Sequence, residues 1–271
     1  MYDLTISQSI DVQDMAVLYG FSLFETFLIN SSGRAFLLDR HVDRLLDSMS
    51  FFNFNIDIAK SRLIEAVNRY IEENSIRDKT VRLTVTCGNR VKSIKSSVII
   101  TTRDNPYRGA EACEKGFKLT VSGYVRDANS IIVRHKTANY LENYLVGQQA
   151  LQSGFDDAIF VNTSGEVTET SKSNIFFVSK GILCTPGTGC GLLPGIIREW
   201  VLQRAQGMGI SCMEGCYTIQ DLQQADEVFV TNSVMGIMPV YAIDTVKIYN
   251  SAAGSCTKAL KTRYTAELER A

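Results

Sequence analysis

The chain has 271 residues, 45% hydrophobic and 21% charged, with a formal net charge of −1. That length predicts one large or two moderate domains with an ample core, and the near-zero charge gives no electrostatic case for nucleic-acid binding. No apolar run approaches the roughly 18 residues that a membrane-spanning helix needs, and Met1 to Ser7 lack the basic-then-apolar order of a signal peptide, so a soluble, cytoplasmic protein is expected.

Residues 19–31 and 34–38 read as two strands around Ser31-Ser32-Gly33. His41 to Phe52 follows as a helix with Val42, Leu45, Leu46 and Met49 on one face. A second helix runs from Ile58 to Glu73, with Leu63, Ala66, Val67, Tyr70 and Ile71 at helical spacing. Val81, Leu83, Val85 and Cys87 alternate with polar residues, a strand pattern, and residues 97–102 form another strand. Asp104-Asn105-Pro106-Tyr107-Arg108-Gly109 joins turn formers to a proline and is the expected linker. It divides an N-terminal α/β domain, residues 1–106, from a C-terminal domain, residues 107–271.

In the second part, residues 117–124 read as a strand, and Ile131-Ile132-Val133 as a buried strand leading to Lys136. Residues 140–153 form a helix, 158–161 a strand and 162–165 a turn. Strands at 166–169 and 174–178 follow, with a hairpin at Ser179-Lys180-Gly181 into 182–185. Residues 195–208 form an amphipathic helix, 228–231, 240–243 and 246–249 are strands, and 256–270 is a closing helix. The seven cysteines, at 87, 113, 184, 190, 212, 216 and 256, are odd in number, which argues against a disulfide framework. Neither Cys184 with Cys190 nor Cys212 with Cys216 has CxxC spacing, and the histidines are His41 and His135 alone. Buried, reduced thiols and no metal are therefore expected.

Lys136 precedes a helix, and a lysine carried inward becomes a usable nucleophile and base as desolvation disfavours its charge. Glu169 stands in the run Thr168-Glu169-Thr170-Ser171-Lys172-Ser173-Asn174, seven polar residues between apolar strands. Hydroxyls and exposed amides in such a run, Ser173 and Asn174 among them, suit a phosphate or an anionic substrate, with a plain surface loop as the alternative. Leu193-Pro194-Gly195-Ile196-Ile197-Arg198 reads as a helix start, ordinary or phosphate-binding through the amides of Ile196 and Ile197. Thr231-Asn232-Ser233 supplies another hydroxyl at a strand end, and Arg44 offers a fork of donors from a helix. A lysine amine bonds to an aldehyde, a carboxylate keeps a pyridine ring protonated, and a helix N-terminus receives a phosphate. Together they point to pyridoxal 5′-phosphate.

In the order of these segments the chain resembles the fold-type IV, or branched-chain-aminotransferase-like, family of pyridoxal phosphate enzymes. The resemblance runs nearly end to end. It begins at Tyr19-Gly20-Phe21-Ser22-Leu23-Phe24-Glu25-Thr26 and His41-Val42-Asp43-Arg44-Leu45, and reaches Asn232-Ser233-Val234-Met235-Gly236-Ile237-Met238-Pro239-Val240. It implies an α+β / α/β, two-domain fold like that of D-amino acid aminotransferase. The smaller N-terminal α/β domain and the larger strand-rich C-terminal domain would hold the cofactor in the cleft between them, in a homodimer. By matched position, Lys136 is the lysine that bonds to the cofactor and Glu169 the carboxylate on the ring nitrogen. Arg44 binds the phosphate with the amides of Ile196 and Ile197 and the Ser233 hydroxyl, while Tyr140 reaches the ring hydroxyl.

D-amino acid transaminases carry a tyrosine where Phe24 stands, and an Arg-x-His pair where this chain has Arg90-Val91-Lys92-Ser93-Ile94. Branched-chain transaminases show aromatic-x-Arg-Pro where this chain has Thr80-Val81-Arg82-Leu83. Asn232 to Val240 is similar to the segment found in aminodeoxychorismate lyases. The reaction so implied turns 4-amino-4-deoxychorismate into 4-aminobenzoate, a folate precursor, and pyruvate. Lys136 would be the base, and Phe24, Arg90 and Lys92 candidates to meet the dianionic substrate. A branched-chain or D-amino acid aminotransferase shares every cofactor residue and is the alternative; a silent binding protein is the third reading, against which Lys136 and Glu169 argue.

Overall fold

A computed structural model describes residues 6–54, 56, 58–107, 115–244, 247–248 and 254–271. The chain divides into two units. One holds residues up to Asn105 with His135–Asn139 and Leu268–Ala271; the other holds Pro106–Arg134 and Tyr140–Glu267. Lys136 thus goes with the first unit, which a single boundary near residue 106 does not anticipate.

In the first unit, a short helix α1 (Met15–Tyr19), capped by the Asp14 side chain, precedes β1 (Ser22–Leu28). Residues 19–21, expected to be strand, are its end and exit. Residues 34–38 do not form a strand either: Ala35 makes one bridge to Ile29, and α2 (Leu38–Phe51) already begins at Leu38. After α3 (Lys60–Glu73), β2 (Lys79–Thr86) and β3 (Val98–Asp104) complete an antiparallel sheet of order β1-β2-β3. Leu23, Phe27, Val81, Leu83 and Val85 pack with Val42, Leu45, Met49, Leu63, Val67 and Ile71 of the two helices. Each such side chain, fully buried, contributes about 1.5–3 kcal/mol. Side chains alternate along a strand, so Phe24, Thr26, Arg82 and Thr84 occupy the sheet face away from these helices.

Lys136 reaches the sheet by a route the sequence does not suggest. Residues 131–134 form a turn rather than a buried strand, and Ile131 is 67% exposed. Three apolar residues are too few to build a strand against the local turn bonds Ser130 N to Asp127 O and Val133 N to Ser130 O. The residues around Lys136 then pair with the other edge of β1. Leu23 bridges Thr137, Phe24 N donates to Lys136 O at 2.9 Å, and Ala138 N donates to Ser22 O at 2.9 Å.

The second unit is built on β4 (Phe117–Arg126), β5 (Asp157–Asn162), β6 (Val167–Thr170), β7 (Asn174–Ser179), β8 (Ile182–Pro186), β9 (Cys212–Gly215), β10 (Glu227–Asn232), β11 (Gly236–Ile243) and β12 (Lys247–Ile248). The order is β6-β5-β4-β11-β10-β7-β8-β9, with β12 on β11. The pairs β4–β5, β4–β11 and β8–β9 are parallel and the others antiparallel. Helix α4 (Leu141–Gln152) packs on β5, and α5 (Ile196–Gly207) on β10; α6 (Ile219–Gln223) and α7 (Ser255–Arg270) follow. Phe117, Leu119, Ile159, Ile175, Phe177, Val230 and Met238 are at the heart of its core. Strand β9 and helix α6 were not anticipated, being too short to show a period. Arg108 and Gly109 of the expected linker, Val246 and Tyr249 of an expected strand, and Cys113 lie outside the described residues.

Not every thiol is buried as expected: Cys216 is exposed, and Cys87, Cys212 and Cys256 are half-buried. Among the described residues, no helix is long and apolar enough to cross a membrane.

Candidate active-site residues

Antiparallel pairing puts Phe24 opposite Lys136, so their side chains share a face. The Lys136 amine lies 4.6 Å from the centroid of the Phe24 ring. Arg82 is the diagonal neighbour of Phe24 across β1 and β2, and its guanidinium carbon lies 3.5 Å from the same centroid. Thr84 Oγ1 accepts from Arg82 Nε at 3.2 Å. An amine and a guanidinium therefore gather at one aromatic ring. Arg90 and Lys92, the cations singled out in the sequence, stand exposed on the turn between β2 and β3, where Arg90 Nη2 donates to Asn53 O at 3.4 Å. Sequence reasoning gave Arg82 no role; the strand register is the signal that finds it.

On the opposite sheet face, Glu25 is buried in the helix-packed layer at 1% exposure. It accepts from Arg44 Nε at 2.8 Å and Nη2 at 2.7 Å, and it meets His41 Nδ1 at 2.6 Å. Burial, the largest influence, pushes the Glu25 carboxyl up, but Arg44 and His41 together outweigh it and hold it at about 2. Burial, again the largest influence, holds His41 below its ordinary 6.5, against the pull of Glu25 and with Arg44 and Lys136 also acting downward. A neutral ring facing a carboxylate carries its proton on Nδ1, so His41 is the donor. Arg44, expected to bind phosphate, thus has its fork set by a carboxylate that the sequence did not mark out.

In the second unit, Glu169 at the end of β6 is 7% exposed. It accepts from Arg126 Nη1 at 2.6 Å, from Asn174 Nδ2 at 3.3 Å and from the Leu193 amide at 3.3 Å. Arg126 is itself buried; its Nη2 donates to Asn143 Oδ1 at 3.2 Å and it lies over the Phe160 ring. Asn143 Nδ2 and the Tyr140 hydroxyl both donate to Ser171 O, at 2.8 and 3.2 Å. Asp157, wholly buried, holds the same loop through Thr170 Oγ1 and Ser171 Oγ. Arg126, Asn143 and Asp157 were all missed by the sequence reading. The loop of Ser171 to Asn174 is thereby held from beneath, and with Ser171, Ser173 and Asn174 buried it is not the plain surface loop that the sequence left open.

Helix α5 begins at Ile196 with Gly195 as its N-cap and no side-chain cap, so the first-turn amides, those of Ile196 and Ile197 included, have no capping side chain. A Cβ on Gly195 would run into Asn174 Oδ1, and the strand register sets Asn174 against Thr231. The Thr231 hydroxyl is buried and has no protein partner. Uncapped amides, a glycine at close approach and an orphaned hydroxyl make a fit for a phosphate. Asn232 Nδ2 donates to Ser173 Oγ at 3.0 Å, and Asn232 Oδ1 accepts from the amides of Val234 and Met235, which shapes the turn that carries Ser233.

The family model for amino-transferase class IV matches residues 22–243. The branched-chain-amino-acid aminotransferase of Escherichia coli K12 is 30% identical over 264 residues, covering 93% of this chain and 85% of that one. The aminodeoxychorismate lyase of Bacillus subtilis is 28% identical, also over 264 residues, covering 94% and 88%. The solved structure of the Escherichia coli branched-chain aminotransferase matches with a TM-score of 0.89, at 29% identity, covering 96% of this chain and 89% of that one. The chain belongs to the class IV aminotransferase family, of fold type IV, whose aminotransferase and lyase members use pyridoxal phosphate.

Proposed function

We propose that the chain is a pyridoxal-phosphate-dependent lyase, a homodimer, that converts 4-amino-4-deoxychorismate to 4-aminobenzoate and pyruvate. The observation that carries this reading is the meeting of the Lys136 amine and the Arg82 guanidinium over the Phe24 ring. A substrate carboxylate suits the guanidinium fork beside the Lys136 amine, with the Phe24 ring backing both cations. The similarity to the Bacillus subtilis lyase supports the same reading.

When bound, the cofactor supplies an aldehyde carbon for the substrate amine and a protonated ring that withdraws electrons from the adjoining carbon. Lys136 would be the residue that holds the cofactor, and its freed amine would be the base that takes the proton from the substrate carbon bearing nitrogen. The bond from the ring to the enolpyruvyl oxygen breaks, the proton returns to the departing three-carbon fragment, and pyruvate leaves an aromatic ring behind. Substrate and products are of equal composition, so no oxidant is needed. Glu169, oriented by Arg126, Asn174 and the Leu193 amide, keeps the ring nitrogen protonated. Arg44, anchored through Glu25, serves the phosphate with the amides of Ile196 and Ile197 and the hydroxyls of Thr231 and Ser233. Tyr140, Ser173, Asn174 and Asn232 shape the cofactor's surroundings.

An aminotransferase is the second reading, favoured by the 30% identity to the Escherichia coli enzyme. The test supplies aminodeoxychorismate and, separately, branched-chain or D-amino acids with 2-oxoglutarate. Equal amounts of 4-aminobenzoate and pyruvate support the lyase. Glutamate from the second mixture, with no pyruvate from the first, replaces it with an aminotransferase.

A further inference from the structure

The cysteine pairs that sequence spacing suggests are not the ones the fold makes. Cys190, in the turn after β8, meets Cys216, just beyond β9, and Glu166, just before β6, joins them. The ligand atoms of all three lie within 4.8 Å of one another. The two sulfurs are 3.7 Å apart. A tetrahedral centre with metal–sulfur bonds of about 2.3 Å sets its two sulfurs about 3.8 Å apart, whereas a disulfide needs about 2.05 Å.

The three segments are tied together without any ion. Asn162, buried, donates from Nδ2 to Glu166 Oε2 at 2.8 Å and to Cys190 O at 3.1 Å, while its Oδ1 accepts from the Glu166 amide at 3.0 Å. Gly187 N donates to Gly215 O at 2.9 Å and so clamps the two cysteine-bearing segments to each other. A hydrogen bond that orients a ligating carboxylate is the usual support of a metal site. Gly191, next to Cys190, has φ +89° and approaches Ala128 so closely that a side chain has no room, which fixes the turn. Cys190 is buried, Glu166 partly exposed and Cys216 exposed, so an ion has a way in from solvent.

We propose that Cys190, Cys216 and Glu166 form a site for one thiophilic divalent cation of the zinc type, with water as the fourth ligand. On binding, each S–H bond breaks as a sulfur–metal bond forms, and the two protons pass to solvent. The site adjoins the candidate cofactor residues along the chain: Cys190 lies three positions before Leu193, whose amide holds Glu169, and Glu166 three before Glu169 itself. An ion there braces both segments at once.

The test titrates Co2+ as a probe into the full-length, phosphine-reduced protein loaded with pyridoxal phosphate. One equivalent should raise a thiolate-to-cobalt charge-transfer band, which Zn2+ then abolishes by displacement. Cys216→Ser, at an exposed position, should weaken binding by more than about 100-fold, beyond the roughly 10- to 100-fold cost of losing a supporting hydrogen bond. Cys190→Ser should do the same if it folds, and Glu166→Gln should weaken binding at least about 10-fold. Cys212→Ser should leave the band unchanged. Absence of the band, a band that persists in Cys216→Ser, or recovery of a Cys190–Cys216 disulfide from protein purified without reductant and lacking metal would each overturn the proposal.

Discussion

Glu25→Gln isolates the buried ion pair beneath the Lys136 face of the sheet, because it keeps the shape of the side chain and removes its charge. The Glu25 carboxyl is held at about 2 against an ordinary 4.5. At 1.36 kcal/mol for each pH unit, that difference amounts to about 3 kcal/mol. Because Glu25 is 1% exposed, solvent screening does not reduce it. The substituted amide also turns N–H groups towards Arg44, which cannot accept them. The sign follows from proton uptake. Between about 2 and 4.5 the unfolded chain binds the proton and the folded one does not, so stability rises with pH across that window. The contribution is complete above 4.5 and disappears as pH falls towards 2.

Urea unfolding followed by circular dichroism, at fixed cofactor concentration, should therefore find the variant about 3 kcal/mol less stable at pH 7. The melting temperature of its unit should fall by about 10 °C. Towards about pH 3, the gap from wild type should shrink to less than half. A gap below about 1 kcal/mol at pH 7, or one that does not change with acid, would refute the account of Glu25 as a charged anchor for Arg44.

Other expectations are as direct. Borohydride reduction and peptide mapping should place the pyridoxyl label on Lys136; a label on another lysine removes it from its proposed role. Glu169→Gln should keep the cofactor yet lose turnover by about 10² or more, roughly 3 kcal/mol, and an active, cofactor-loaded variant would contradict the assignment. Arg82→Leu should raise KM for aminodeoxychorismate by at least about 30-fold, the cost of one lost buried charge contact, while Arg90→Ala and Lys92→Ala change it little. The reverse ranking, measured by steady-state kinetics, would return the substrate cation to the exposed turn. Gly195→Ala should weaken pyridoxal phosphate binding about 5-fold or more, as 1–3 kcal/mol of overpacking shifts the start of α5, and an unchanged Kd would mean that the close approach to Asn174 is relaxed at no cost.

The long elements were legible because their periods are strong: α2 and α3 show apolar faces, and β2 alternates. Short or locally determined pieces were not. β9 is four residues long, and Ile131 to Val133 looks like a strand by composition although its backbone turns. Lys136, Glu169, Arg44 and Gly195 could be marked from motif order, but their supports could not. Arg126 and Glu169 are 43 positions apart, and Glu25 with His41 reads as polar interruption of apolar patterns until the fold closes around them. Arg82 is the instructive miss, since its residue type was noted and only its position across from Thr26, beside Phe24, reveals its company.

The attachment of residues 136–138 to the edge of β1 makes the orientation of Lys136 a matter of parity. A pairing shifted by a single residue would send its amine to the helix-packed side and bring a neighbour to the Phe24 ring. Thr137 and Ala138 can therefore change side chain more freely than the chain around them can change length. One residue added between Arg126 and Lys136 has slack in the exposed 131–134 turn to absorb it, whereas one added between Lys136 and Ala138 does not. Proline at 138 would delete the amide that donates to Ser22 and release the lysine without touching any atom of its side chain.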